Sequence, residues 1–284
     1  MTKVLTWNIQ CGLGVDGRVD LVRIADVIRT MADADVICLQ EVSRFNPELD
    51  GGQGVDQVAA LAALFPEYKP HFGAAIDRLG EHPDERRQFG NMILSRFPVL
   101  QVFNHQLPQP APETECKHMP RQALEAVVQA SLGPIRVVTT HLEYHAEVQR
   151  LAQGRRLHEI QSEVAENQGY AAFAPAQGPY AATPRPVDAV LCGDFNSAPD
   201  DDVYRSLTVS APGGAGFVDA WRVVHGEKPH APTCGIFDHK QWPQGPHCRD
   251  FFFVAGAPVN NVQDVQVNQE TDASDHQPVL LVIG

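Results

Sequence analysis

The apolar runs of this chain stop on residues that can do chemistry. KVLTWN ends on Asn8, DVICLQEV carries Glu41 near its end, VVTTH ends on His141, and AVLCGDFN ends on Asp194 and Asn196. The runs FFFV and PVLLVI are entered through Asp250 and through Asp275 with His276. Short apolar runs of this kind read as buried strands. Open α/β sheets place their ligands outside the carboxyl ends of strands, so these endpoints constrain the fold and the position of a site together. A single Asn or Asp at a strand end is ordinarily a turn former or a helix cap. The whole series together goes beyond that explanation.

Between the runs lie amphipathic helices. VDLVRIADVIRTM (19–31) and GVDQVAALAALF (54–65) carry helical spacing, and AEVQRLAQGRRLHEIQSEVAEN (146–167) is the longest candidate, with Gly154 weakening its centre. Strands are expected at 68–73, 89–95, 99–103, 122–130, 135–140, 187–192, 251–254, 262–267 and 278–283. Strands outnumber helices and no short-period repeat occurs, which predicts an α/β fold of two sheets packed together with helices outside. A chain of 284 residues, 43% of them hydrophobic, can bury one large core. The Gly, Ala and Pro segment 168–186 is too short to divide it, so residues 1–284 are read as a single catalytic domain. Asp200–Asp202 reads as a helix amino-terminal cap, and Arg150, Arg155 and Arg156 as a solvated helix face.

Composition narrows the partners. No stretch is long and apolar enough for a transmembrane segment, and the amino terminus lacks a basic region followed by an apolar one, so a cytoplasmic location is expected. The six cysteines form no CxxC pair and are read as reduced. A formal net charge of -13 disfavours binding to extended duplex DNA while leaving room for a local basic patch.

If the strand ends converge, their chemistry is specific. Glu41 and Asp275 offer hard oxygen ligands and Asn8 an amide oxygen, a set suited to Mg²⁺ or Mn²⁺. In GDFN, Asp194 and Asn196 are two apart, so an extended segment points both to one side; one can hold an attacking water and the other can donate to an oxyanion. His141 and His276 can contact phosphoryl oxygens, with Asp250 fixing the tautomer of His276. These parts describe metal-assisted phosphoester hydrolysis. The pair His141 and His145 would suggest zinc if it lay on a helix, but Leu142 stands where the zincin signature requires Glu. His230, His239 and His247 read as exposed loop histidines, or as the lip of a pocket with Trp242 packing on a substrate group.

In this order TWNI, LQEV, GNMILSRFP, THLEYH, GDFNSAP, RDFFFV and SDHQPV resemble the motif series of the endonuclease/exonuclease/phosphatase superfamily of metal-dependent phosphoesterases. The resemblance runs from about Leu5 to Leu281. It implies a four-layer α/β/β/α sandwich of two packed mixed β-sheets flanked by helices, with the site at one end of both. It further implies that Asn8 and Glu41 bind the metal, that Asp194 orients or deprotonates the nucleophilic water, and that Asn196 and His141 contact the phosphate. Asp275 would support the metal or His276, and Asp250 with His276 matches the family's Asp/His pair at the scissile phosphate.

Departures bear on substrate. Gln10 stands where abasic-site nucleases of the superfamily carry a short Asp or Asn, and QFGNMILSRFP looks more like branches acting on phospholipids, inositol phosphates, protein-linked DNA ends or small phosphodiesters. In that stretch Asn91 reads either as a substrate contact or as a polar residue satisfying a buried strand end. Arg121 reads as a bidentate phosphate donor or as a solvated strand residue. The expected activity is divalent-metal-dependent hydrolysis of a phosphoester, most simply a phosphodiester, by in-line attack of water. The partner is then a small-molecule, lipid or nucleic-acid phosphoester. A nuclease acting on DNA or RNA, and a binding protein that keeps the fold without turnover, are the alternatives.

Overall fold

The computed structural model describes residues 1–83, 85–169, 178, 180–209 and 216–284. In chain order the elements are β1 (Thr2–Asn8), α1 (Leu21–Met31), β2 (Val36–Arg44), α2 (Gln57–Leu64), β3 (Lys69–Leu79), β4 (Arg86–Ser95), β5 (Val99–Gln106), β6 (Gln122–Ala130) and β7 (Gly133–His141). There follow α3 (Glu147–Asn167), β8 (Ala189–Asp194), α4 (Asp202–Thr208), β9 (Val218–Asp219), α5 (Ala220–His225), β10 (Asp250–Ala255), β11 (Val262–Val267) and β12 (Val279–Ile283).

The strands form two mixed sheets, ordered β11-β12-β1-β2-β4-β3 and β5-β6-β7-β8-β10-β9. Each sheet has one parallel pair, β1 with β2 and β7 with β8, and antiparallel neighbours around it. A parallel pair needs a crossover, supplied by α1 in the first sheet and α3 in the second. The inner faces meet in a core containing Val4, Val36, Cys38 and Ile93 from one sheet and Val137, Val190, Cys192 and Phe252 from the other. On the outer faces Leu5, Trp7 and Leu39 pack against Ile24 and Ile28 of α1 and Leu61 of α2, while Leu191 and Phe253 pack against Leu157 of α3 and Val203 of α4. The result is the expected α/β/β/α sandwich. With both faces covered, the central strands have no need of a polar face, which is why they read as continuous apolar runs.

The period-2 alternation of a strand explains where the polar endpoints go. Inward-facing positions run Val4, Thr6, Asn8 along β1, Val137, Thr139, His141 along β7, and Val190, Cys192, Asp194 along β8. β10 runs the other way, from Val254 through Phe252 to Asp250. The row that builds the core therefore becomes polar at one end of the sandwich, on all four strands. Two buried amides tie the sheets there. Gln40 donates to the Thr6 and Thr139 hydroxyls at 3.0 and 2.8 Å, and the Asn91 carboxamide faces the Gln122 and Thr139 carbonyls at 3.3 and 3.5 Å.

Local expectations mostly hold, with differences at the edges. Helix α1 starts at Leu21 because Asp20 caps it, and α2 starts at Gln57 because Asp56 does. Asp201 caps α4 as its acidic run suggests. β3 extends well past Gly73, and the short β9 and α5 carry too little periodicity to be read from sequence. Gly154 has a packing reason: a Cβ there would lie 2.9 Å from the Ser206 hydroxyl and 3.0 Å from Val203, so the glycine lets α3 and α4 approach. Arg150 is not on a solvated face; it donates to the Glu143 and Tyr144 carbonyls at 2.8 and 2.7 Å. His230 is buried against Trp221 and bonds to Asp219 at 2.7 Å, which corrects its reading as an exposed loop residue. All six cysteines are free. Of the Gly, Ala and Pro segment 168–186, residues 170–177 and 179 lie outside the described residues.

Candidate active site

In the second sheet the site begins as a row across three strands. His141 of β7 is opposite Asp194 of β8, and Asp194 is opposite Asp250 of β10. β8 can press this closely on β7 because residue 193 is glycine. Its φ is +132°, and a Cβ there would sit 1.9 Å from the Thr140 carbonyl oxygen. Beyond the strand the chain turns sharply at Asn196 (φ +48°), whose backbone N–H donates to Asp194 Oδ1 at 2.8 Å. The Asn196 carboxamide then donates to the Leu142 carbonyl and to His141 Nε2, both at 3.0 Å. Accepting at Nε2 leaves the proton of neutral His141 on Nδ1, which has no partner among the described residues. Burial, helped by the nearby Arg121 charge, drives this imidazole down to about 3, so it is neutral at physiological pH.

The first sheet reaches the same point differently. Inward alternation would give Asn8 and Gln40, and Glu41 would face outward. A bulge intervenes: Leu39 pairs with Met92 and Val42 with Gly90, so Gln40 and Glu41 together oppose Asn91. Glu41 takes a φ of +56°, and its side chain lines the cavity, a quarter exposed. Asn8 joins the halves, donating from Nδ2 to Glu41 Oε1 and to Asp194 Oδ2, both at 3.0 Å. Its oxygen accepts the Gln10 N–H at 3.1 Å. In this arrangement the amide presents hydrogens to both carboxylates.

The segment before β12 completes the floor. His276 Nδ1 donates to Asp250 Oδ2 at 2.8 Å, and Nε2 lies 3.6 Å from Asp194 Oδ2. Trp7 pins its backbone by donating to the His276 carbonyl at 2.9 Å. Burial opposes charge on His276, but Asp250, Asp194 and Asp275 outweigh it and hold the imidazole well above its ordinary value. Asp194 remains ionised despite burial because charged His276 faces it and the Asn196 N–H and the Asn8 amide donate to it. Asp275 accepts from Gln241 at 2.9 Å and from the Trp242 indole at 3.3 Å. Burial pushes Asp275 up; burial and the Asp275 carboxylate push Glu41 up to about 7.

These groups floor a cavity of about 520 Å³. Glu41, His141, Asp194, Asn196, Asp275 and His276 line it directly, while Asn8 and Asp250 stand one layer behind. Arg121 also lines it. It is buried just before β6, which corrects its reading as solvated; Nε donates to Glu143 Oε2 at 3.3 Å, and Nη1 has no partner among the described residues. Asn91 is not brought to the cavity; it lies behind the Glu41 bulge, between the sheets. The zinc reading fails on geometry, since His141 ends a strand and His145 precedes α3.

Sequence reading passed over Glu143, which is buried and holds Arg121, the Met119 N–H and the His145 N–H. It also missed Arg249, whose guanidinium lies 5.1 Å from the Trp242 ring and 5.8 Å from the Tyr144 ring at the cavity edge. Trp242 itself is buried, with its indole committed to Asp275. No spacing signal marks these contacts, which come from loops.

The donor set fits a divalent cation. Glu41 and Asp275 are hard oxygen donors lining one cavity, and burial raises both carboxyls. Among the described residues, Asp194, Asp250 and His276 also bring ligand atoms within 4.8 Å of one another. In that group the imidazole Nδ1 is already engaged with Asp250.

Solved structures share this architecture. An endonuclease/exonuclease/phosphatase from Beutenbergia cavernae gives a TM-score of 0.63 at 26% identity, over 99% of this chain and 70% of that one. A mannosyl-6-phosphatase from Bacteroides thetaiotaomicron gives 0.67 at 16% identity over 100% of both chains. The 3′ phosphatase NExo from Neisseria, bound to a product DNA hairpin, gives 0.60 at 19% identity, again over 100% of both. No curated protein sequence matches the chain. The model of the Endonuclease/Exonuclease/phosphatase family matches residues 5–276, from β1 through His276. By that match and by its sandwich of two mixed sheets, the chain belongs to the endonuclease/exonuclease/phosphatase family.

Proposed function

We propose that the protein is a divalent-metal-dependent hydrolase of phosphoester bonds, with phosphodiesters as its simplest substrates and water as nucleophile. One observation carries this reading. Polar ends of strands from both sheets meet at Asp194, which touches Asn8 and Asn196, lies 3.4 Å from His141 Nε2 and 3.6 Å from His276 Nε2, and faces a cavity.

Glu41 and Asp275 would hold Mg²⁺ or Mn²⁺, which supplies charge neutralisation and polarises the phosphoryl group. Asn8 braces Glu41 from behind. Asp194, ionised and fixed by Asn8 and the Asn196 N–H, accepts a proton from the attacking water as its oxygen bonds to phosphorus. The P–O bond to the leaving group breaks opposite, and the departing alkoxide takes up a proton from solvent. Positively charged His276, oriented by Asp250, donates from Nε2 to the phosphoryl oxygen that gains charge. Arg121 Nη1 and His141 Nδ1–H supply further donors at the cavity wall. The reading is supported by relatives of this fold named as phosphatases.

Turnover of bis-p-nitrophenyl phosphate with Mg²⁺ or Mn²⁺ tests the proposal. Activity is expected to vanish with chelator and with Asp194→Ala; turnover that survives either treatment removes it.

A further inference from the structure

The cavity changes character away from its polar floor. Leu49 of the loop after β2, Ile76 of β3, Phe89 of β4 and Met119 before β6 form an apolar wall beside the phosphoester site, with Asn46 and the exposed Arg78 at its margin. The wall is constructed by a second bulge. In β3, Gly73 pairs with Asn91 and Ala74 with Gly90, but Ile76 pairs with Phe89, leaving Ala75 as an extra residue. Phe89 shares the inward face of β4 with Asn91. Without the extra residue Ala75 would face Phe89 and Ile76 would turn to the outer side. The bulge therefore moves a large apolar side chain onto the site face, at the level where the β2 bulge delivers Glu41.

The wall is also tied to the phosphate end. Met119 and Arg121 are held by one carboxylate oxygen, Glu143 Oε2, at 3.2 and 3.3 Å. Apolar contact and guanidinium donor are thus set at a fixed separation. A cavity of about 520 Å³ is of the size that encloses a small ligand, with a few polar groups at one end and apolar surface along the rest.

We propose that this wall receives an ester group of the substrate, and that the protein prefers low-molecular-weight phosphoesters bearing a compact apolar alcohol, aryl or alkyl, with Ile76 and Phe89 as specificity-determining residues. This rests on the phosphoesterase reading of the same site. Burial of a phenyl-sized group against such a surface favours it over methyl by roughly tenfold or more.

Calorimetric binding of phenylphosphonate and methylphosphonate in the presence of Mg²⁺ tests the preference without turnover. Phenylphosphonate is expected to bind at least tenfold more tightly. Ile76→Thr, which keeps β-branching but loses one methyl and gains a hydroxyl on a partly exposed strand, and Phe89→Ala should each reduce that ratio to about threefold or less while leaving methylphosphonate affinity within twofold. Equal affinity for the two probes, including no detectable binding of either, overturns the inference. So does a ratio unchanged in both variants, or tighter binding of a 3′-phosphorylated DNA hairpin than of phenylphosphonate. Preferential phenylphosphonate binding by a protein that hydrolyses no phosphoester would keep the inference and remove the hydrolase reading. Hydrolysis of bis-p-nitrophenyl phosphate with no preference between the probes would do the reverse.

Discussion

The two parallel pairs, β1 with β2 and β7 with β8, are built alike and finish differently. Each crosses over through a helix and delivers polar side chains at its carboxyl ends. In β7 and β8 the register runs unbroken to the last pair, and His141 and Asp194 are buried. In β2 the register breaks, and Glu41 emerges a quarter exposed. The acids shift in opposite directions: charged His276 and two N–H donors hold Asp194 down, whereas burial and then the Asp275 carboxylate push Glu41 up. On the proposed hydrolase reading, the regular ladder fixes the acid that would handle a proton and the bulge exposes the one that would hold an exchangeable cation.

The sharpest way to break this contrast is to remove the rigid acid. Asp194→Asn should lower kcat by 10³-fold or more, while calorimetry still detects Mg²⁺ binding. Glu41→Gln should instead act through the metal, raising the Mg²⁺ concentration for half-maximal activity about 10- to 100-fold. If the two variants behave alike in a metal titration, the division of labour is wrong. Gly193→Ala should destabilise the rigid side by about 2 kcal/mol or more, read as a lowered Tm, because its Cβ has nowhere to go against the Thr140 carbonyl. Glu143→Gln, which loosens Arg121 without touching either acid, should raise KM about fivefold with little change in kcat.

The smallest effect is one of pH. Glu41 has its carboxyl raised from 4.5 to about 7 in the folded chain, so the unfolded chain gives up this proton first. That contribution to stability is complete below about pH 4.5 and is lost as pH rises through 7. Raised His276 acts with the same sign, its contribution falling as pH climbs towards its folded value. Buried His141 acts oppositely, but its gain is complete above its ordinary 6.5. Between about pH 6.5 and 8 the Tm of the metal-free protein should therefore fall by a few degrees, and added Mg²⁺ should raise it more at pH 8 than at pH 6.5. A Tm that rises across this window without metal would contradict the account of Glu41.

What could be read from sequence divides along the same line. A strand that keeps its period, such as β6, has the bounds its residues suggest, and Asn8, His141 and Asp194 follow from inward alternation. Glu41 and Ile76 reach the cavity only because each strand gains a residue, and no local pattern announces a bulge. Arg121 looks like a surface cation until Glu143, 22 positions away, is seen to bury it. Trp242 resembles a loop aromatic until its indole meets Asp275, 33 positions on. Contacts of this range depend on the assembled sandwich, so single-strand periodicity is blind to them.

The two bulges flank β4 at the level of Gly90 and Asn91, and that placement has an evolutionary consequence. The second sheet, in strict register around Asp194, can accept few insertions without turning its reactive groups aside. Slack is concentrated in β3, where a residue gained or lost would reshape the apolar wall and leave the polar strand ends around Asp194 in place. New specificities can thus arise on this scaffold by small length changes beside a single strand.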